Sequence, residues 1–164
     1  MKMIEKLKKA MNLEIPMVKQ VLWNTYGYSC SEDKITGLGF YGQPLTEIPP
    51  DFFLFQELEV LALTNTKLPN LPQDIGYLKS LKELYLGGNL FRSIPNEVGE
   101  LKKLRVLYIL EDNLQQIPNT ILKLSNLKEL SITVPFKLDK SWNWQDLSKK
   151  GCKIYWNNKE IFQN

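Results

Sequence analysis

Histidine is absent from this 164-residue chain, and the omission removes every Ser-His-Asp or Cys-His nucleophilic arrangement. Cysteine is nearly absent, with only Cys30 and Cys152, so a zinc site would have to lean on two thiols and stray carboxylates. There is no Gly-x-x-x-x-Gly-Lys-Ser/Thr phosphate loop, no Gly-x-Gly-x-x-Gly and no spaced acidic set of the calcium-loop kind. No run approaches the roughly 18 uninterrupted apolar residues of a membrane span. The N-terminus, Met1 to Lys9, lacks the roughly 7–15-residue apolar core of a signal peptide, and no Asn-x-Ser/Thr sequon occurs. These absences lead to the expectation of a cytoplasmic, monomeric, non-enzymatic chain with no catalytic residue, cofactor or metal.

Basic residues exceed acidic ones by only three, and unevenly. Residues 1–19 and 137–164 are each +3, whereas residues 20–136 are −3. A nucleic-acid binder gathers Lys and Arg on its binding face, so nucleic acid is not an expected partner.

What the chain does have is a 23-residue period. Ile35, Leu58, Leu81, Leu104 and Leu127 head five copies, followed by Leu38, Leu61, Leu84, Leu107 and Leu130, then by Phe40, Leu63, Leu86, Ile109 and Ile132. Four copies go on through Leu45, Leu68, Phe91 and Leu114 to Ile48-Pro49, Leu71-Pro72, Ile94-Pro95 and Ile117-Pro118. They end with Phe52, Ile75, Val98 and Ile121 and then Phe55, Leu78, Leu101 and Leu124. Each Leu-x-Leu reads as a short strand with one buried face, and the apolar residues three apart after the proline read as a loose helical or 3₁₀ turn. One such unit cannot bury its own edge, so the copies must stack into a curved solenoid.

The Pro-x-x-Ile-Gly-x-Leu-x-x-Leu form at Pro72 to Leu81 and the related Pro95 to Leu104 resemble the 23-residue intracellular subclass of leucine-rich repeats. The start, Asp33 to Tyr41 with its upstream helix and Trp23, is similar to that of prokaryotic members. The resemblance implies an α/β solenoid with a parallel sheet on its concave face, and protein recognition rather than catalysis. Of the Asn that bonds the turn backbone in this family, only Asn89 is present; Gln43, Thr66, Asp112 and Pro135 stand in the other copies.

The expected organisation is one domain: an N-terminal cap over 1–34, repeats over 35–138 and a C-terminal cap over 139–164. Ile4, Leu7 and Met11 make an amphipathic helix ended by Pro16. Thr25 to Cys30 and Lys34 to Phe40 form a hairpin turned at Ser31-Glu32-Asp33. Ser141 is a candidate N-cap for a helix from Trp142 to Lys150, with Gly151 as its stop, and Ile154 and Trp156 continue the strand columns at a spacing of 24. Trp23, Trp142, Trp144 and Trp156 all lie in these ends and read as lids on the exposed core; a ligand-binding aromatic cage is the other reading. Cys30 and Cys152 sit at opposite ends of the stack, ~20 Å or more apart against the ~7 Å a disulfide allows, and two free thiols suit a reducing compartment.

The outward strand positions then define the candidate binding face. They are Gly37, Val60, Glu83, Val106 and Glu129; Gly39, Ala62, Tyr85, Tyr108 and Ser131; and Tyr41, Thr64, Gly87, Leu110 and Thr133. Tyr41, Val60, Tyr85, Val106, Tyr108 and Leu110 form an apolar and aromatic patch, rimmed by Glu83, Arg105 and Glu111, to which a protein or peptide is expected to dock. Tyrosines that merely stack across strands are the alternative. So is a recognition fragment whose catalytic domain lies elsewhere in a longer protein, although a chain that begins with Met and closes both ends favours a self-contained module.

Overall fold

The computed structural model describes residues 2–111, 113–135 and 144–161. Its centre is one sheet in which eight strands follow chain order: β1 (Tyr26–Ser31), β2 (Lys34–Phe40), β3 (Val60–Thr64), β4 (Glu83–Gly87), β5 (Val106–Leu110), β6 (Glu129–Thr133), β7 (Lys153–Trp156) and β8 (Lys159–Glu160). Strands β2 to β7 are parallel and the two outermost are antiparallel. Register follows the repeat: Leu61 lies beside Leu84, Leu84 beside Leu107, and Leu107 beside Leu130. The next step is one residue longer, Leu130 beside Ile154 and Ile132 beside Trp156, as the spacing of 24 requires.

Proline sets the return path. Pro49, Pro72, Pro95 and Pro118 hold extended backbone, with φ of −65, −64, −68 and −72°, at the start of short 3₁₀ helices. Their carbonyls accept the N–H three residues on, from Phe52, Ile75, Val98 and Ile121 at 2.9–3.2 Å. Those same four side chains are fully buried against the strand leucines, so each turn closes the core of its own copy. Among the described residues the apolar interior is one continuous cluster from Ile4 to Trp156.

Asn89 ties three copies together. Its side-chain amide donates to Leu63 O at 2.8 Å and its carbonyl oxygen accepts from Thr66 N at 3.2 Å. In the following copy Asp112 lies outside the described residues; the preceding Glu111 is wholly buried and accepts from Asn89 N and Nδ2, each at 3.0 Å. Glu111 therefore does not stand on the rim of the concave face, where the sequence pattern placed it. The buried carboxylate is drawn inward by the Asn89 backbone N–H and side-chain amide, donors whose hydrogen bonds offset its burial.

Helix α1 (Lys2–Met11) buries Ile4 and Leu7 over the first copies, and it stops before Pro16 is reached. Asn12 adopts φ 51°, and Leu13 N bonds Lys8 O at 3.0 Å, the closing bond of a left-handed helix end. The chain then pairs Met17 beside Tyr28 and folds back across β2. A side chain on Gly39 would lie 2.4 Å from Thr25 O and one on Gly37 2.9 Å from Val21 Cγ2, so only glycine admits this strap. Gly37 and Gly39, expected to face out, are buried for that reason, and Ala62, paired beside Gly39, is buried as well. Glu32 and Asp33, with φ 48 and 61°, turn the β1–β2 hairpin.

At the other end, helix α2 runs over Trp144–Lys149, ending one residue before the expected Lys150; its expected start at Ser141 and Trp142, like Lys137 and Leu138, lies outside the described residues. Gly151 takes φ 79°, and Cys152 N and Gly151 N bond Leu147 O and Ser148 O at 3.0 and 2.8 Å. Trp144 and Trp156 are buried and meet edge to face at 6.2 Å, closing the core as lids. Trp23 behaves differently: it is 49% exposed and covers no core section. Cys30 and Cys152 are both free.

Candidate functional site

Because the strap occupies β2 and part of β3, the open portion of the concave face begins at β4. Period-two alternation sends Leu84 and Leu86 inward and leaves Tyr85 half-buried between them; on β5 Tyr108 sits likewise between Leu107 and Ile109. Parallel register sets Tyr85 beside Tyr108, and their rings meet edge to face at 5.2 Å and 81°. The strap brings Trp23 to the same place, where it stands edge-on to Tyr41 at 6.2 Å. Trp23, Thr64, Tyr85, Gly87, Tyr108 and Leu110 enclose a pocket of about 220 Å³. That is smaller than the roughly 300–1,000 Å³ of sites for free small molecules, and it suits one side chain.

The tyrosine hydroxyls are not turned to water. Tyr85 donates to Glu83 Oε2 at 2.7 Å, and Tyr108 donates to Glu129 Oε1 on the neighbouring strand. Partial burial, then the bond to the carboxylate, raises the pKa of Tyr85 and pushes that of Tyr108 up to about 12. Both phenols are neutral donors at physiological pH, and each carboxylate fixes the tilt of its ring. The stacking read as an alternative to binding is thus real, yet it leaves an open pocket beside the pair.

Of the residues expected at the site, Tyr85, Tyr108 and Leu110 line the pocket, and Tyr41 backs it through Trp23. Val60, Glu83 and Val106 flank it at the strand starts, on the same face, with Glu83 reaching in to Tyr85. Arg105, exposed, precedes Val106 at the strand edge, and Glu111 is removed to the interior. The sequence reading missed Trp23 and Glu129. Glu129 was legible in the outward column beside Tyr108; Trp23 was not, because nothing in a repeat pattern says where a non-repeat strap will cross the sheet. A larger depression of about 660 Å³ lies among the loops around Asn96 and Gln116, with Gln73, Gln115 and Asn119 also in its lining. Cys152 is buried, which pushes its thiol up to about 11 and keeps it protonated at neutral pH. Among the described residues no cluster of Cys, Asp and Glu could hold a metal ion, and no helix is long and apolar enough to cross a membrane.

The leucine-rich repeat region family matches residues 53–150. This chain belongs to the leucine-rich repeat family. A leucine-rich repeat protein of Leptospira interrogans shares 32% identity over 71% of the chain, with a TM-score of 0.63. The chain spans 29% of that protein's length. The ectodomain of the receptor kinase SOBIR1 from Arabidopsis thaliana superposes over 96% of the chain and 91% of its own length, at 23% identity and a TM-score of 0.63. The Arabidopsis receptor kinase GASSHO1/SCHENGEN3, solved in complex with CASPARIAN STRIP INTEGRITY FACTOR 2, covers 96% of the chain at 20% identity, 21% of its own ectodomain and a TM-score of 0.63. A search of curated proteins found no match. Below 25% identity these likenesses speak for the fold alone; the family itself is one of protein interaction.

Proposed function

We propose that this leucine-rich repeat solenoid is a non-enzymatic recognition module that holds one protein or peptide segment on the open concave face over β4 to β6. The observation that carries the reading is the pocket between Trp23, Tyr85, Tyr108 and Leu110. It is an uncovered apolar cavity on a face whose folding does not require one, built from rigid aromatic side chains that lose little entropy on binding. The 23-residue step and the Leu-Pro-x-x-Ile-Gly form support placement in the intracellular subclass, and the two free thiols support a reducing, cytoplasmic setting. The caps at both ends support a single self-contained domain with repeats over 35–138.

The test pairs Tyr85→Ala with Tyr108→Ala and measures both melting temperature and recovery of partners from native cytosol. Partner loss with the fold kept supports the site; undiminished recovery sinks it. A second reading, that the solenoid is the recognition part of a longer signalling protein or enzyme, is favoured by the 29% of the Leptospira protein that the chain spans. An antibody to the solenoid that detects only a much heavier polypeptide in native extract would select it.

A further inference from the structure

Three rings line one cavity, and the phenols of two of them are bonded to carboxylates. Glu83 bonds the Tyr85 phenol and Glu129 the Tyr108 phenol, and one cation, the exposed Lys153, stands beside Glu129 in the outward column. Glu83 and Glu129 accept hydrogen bonds from the phenols, and neither carboxylate lines the pocket. A phenol that donates to a carboxylate gains electron density on its ring, and the ring face already carries the negative lobe of the aromatic quadrupole. The pocket is therefore apolar in surface, with two carboxylates against one neighbouring lysine bonded to or beside its tyrosines. It would repel an anion, and it offers a neutral alkyl group contact without electrostatic gain.

The lining also decides which cation fits. Apart from the Thr64 hydroxyl, its side chains bring no hydrogen-bond acceptor to the cavity. A primary ammonium or a guanidinium would give up its water without replacing those bonds, whereas a quaternary ammonium has no N–H to satisfy. We infer that the pocket takes a quaternary ammonium group, presented as the trimethylated lysine side chain of a partner segment, enclosed by Trp23, Tyr85 and Tyr108 with Glu83 and Glu129 as counter-charges. This rests on the concave-face reading above and names the chemistry of its occupant.

The experiment titrates the intact protein with N-acetyl-trimethyllysine amide, with the unmethylated lysine amide and with the neutral carbon isostere bearing a tert-butyl end. The readout is the indole N–H resonance of Trp23, assigned with Trp23→Phe. Trimethyllysine should bind about tenfold more tightly than either control, the range that a partly desolvated cation–π contact supplies. Glu83→Gln with Glu129→Gln, which keeps every ring, should erode that preference while leaving isostere binding unchanged. An isostere that binds as well as the cation overturns the proposal but keeps the pocket as an apolar anchor site. Phosphatidylcholine vesicles that shift the resonance when trimethyllysine does not also overturn it, in favour of a lipid headgroup. No shift with any probe overturns it too, and the Tyr85 and Tyr108 alanine variants then decide separately whether a partner docks on this face.

Discussion

At the scale of single residues, the same strand carries side chains with opposite duties. Leu84 is fully buried and Tyr85 half-buried beside it, so Leu84→Ala should cost ~2–5 kcal/mol through lost burial and the cavity left behind, and Tyr85→Ala much less. Denaturant melts of the two variants check this; equal losses would mean that the inward and outward faces are misassigned. Tyr108 gives a pH signature. Its phenol is harder to ionise folded, about 12, than unfolded, ~10, so its contribution is fully present below pH ~10 and is lost as pH rises to about 12. Wild-type melting temperature should fall across that window more steeply than that of Tyr108→Phe, which has no proton to lose. Parallel curves would show that the bond to Glu129 contributes nothing. Asn89 was legible as a turn residue from its position in the repeat. The role of Glu111 was not, because the donors that its carboxylate meets are invisible until the turn is folded.

Among the elements, the strap before β1 matters most to function, because it both blocks the first copies and carries Trp23 to the pocket. Its fit depends on Gly39, where any Cβ would come within 2.4 Å of the Thr25 carbonyl. Backbone cannot yield as a flexible side chain can, so Gly39→Ala should lift the strap. The expected result is a lower melting temperature, increased exposure of Trp23 to a soluble quencher, and loss of whatever the concave pocket holds. Gly42, which has open space around it, is the control for glycine loss at a neighbouring turn; its own φ of 72° makes Asn the right replacement there. Unchanged quenching in Gly39→Ala would show that Trp23 does not depend on the strap.

For the whole molecule, a solenoid is held by contacts between neighbours, so its ends must be closed. Removing residues 141–164 takes β7 away from β6, uncovering Leu130 and Ile132 and leaving a row of unpaired parallel-strand backbone. The truncated protein should aggregate or melt far lower, measured by light scattering and calorimetry. A monomer with the parent melting point would refute the cap. The acidic repeats between basic ends bear on solubility and association kinetics rather than on the fold.

The amino-acid order alone determined the strands, their parallel register and the buried columns, because a 23-residue step and period-two alternation are local signals that stacking merely repeats. It also marked Tyr85 and Tyr108 as neighbours on the outward face. Tertiary structure alone decided where Trp23 lies, which copies the strap covers, and that Glu111 turns inward while Glu83 and Glu129 hold the tyrosines. These depend on a non-repeating segment crossing the sheet and on side-chain reach between copies, and neither leaves a period in the sequence.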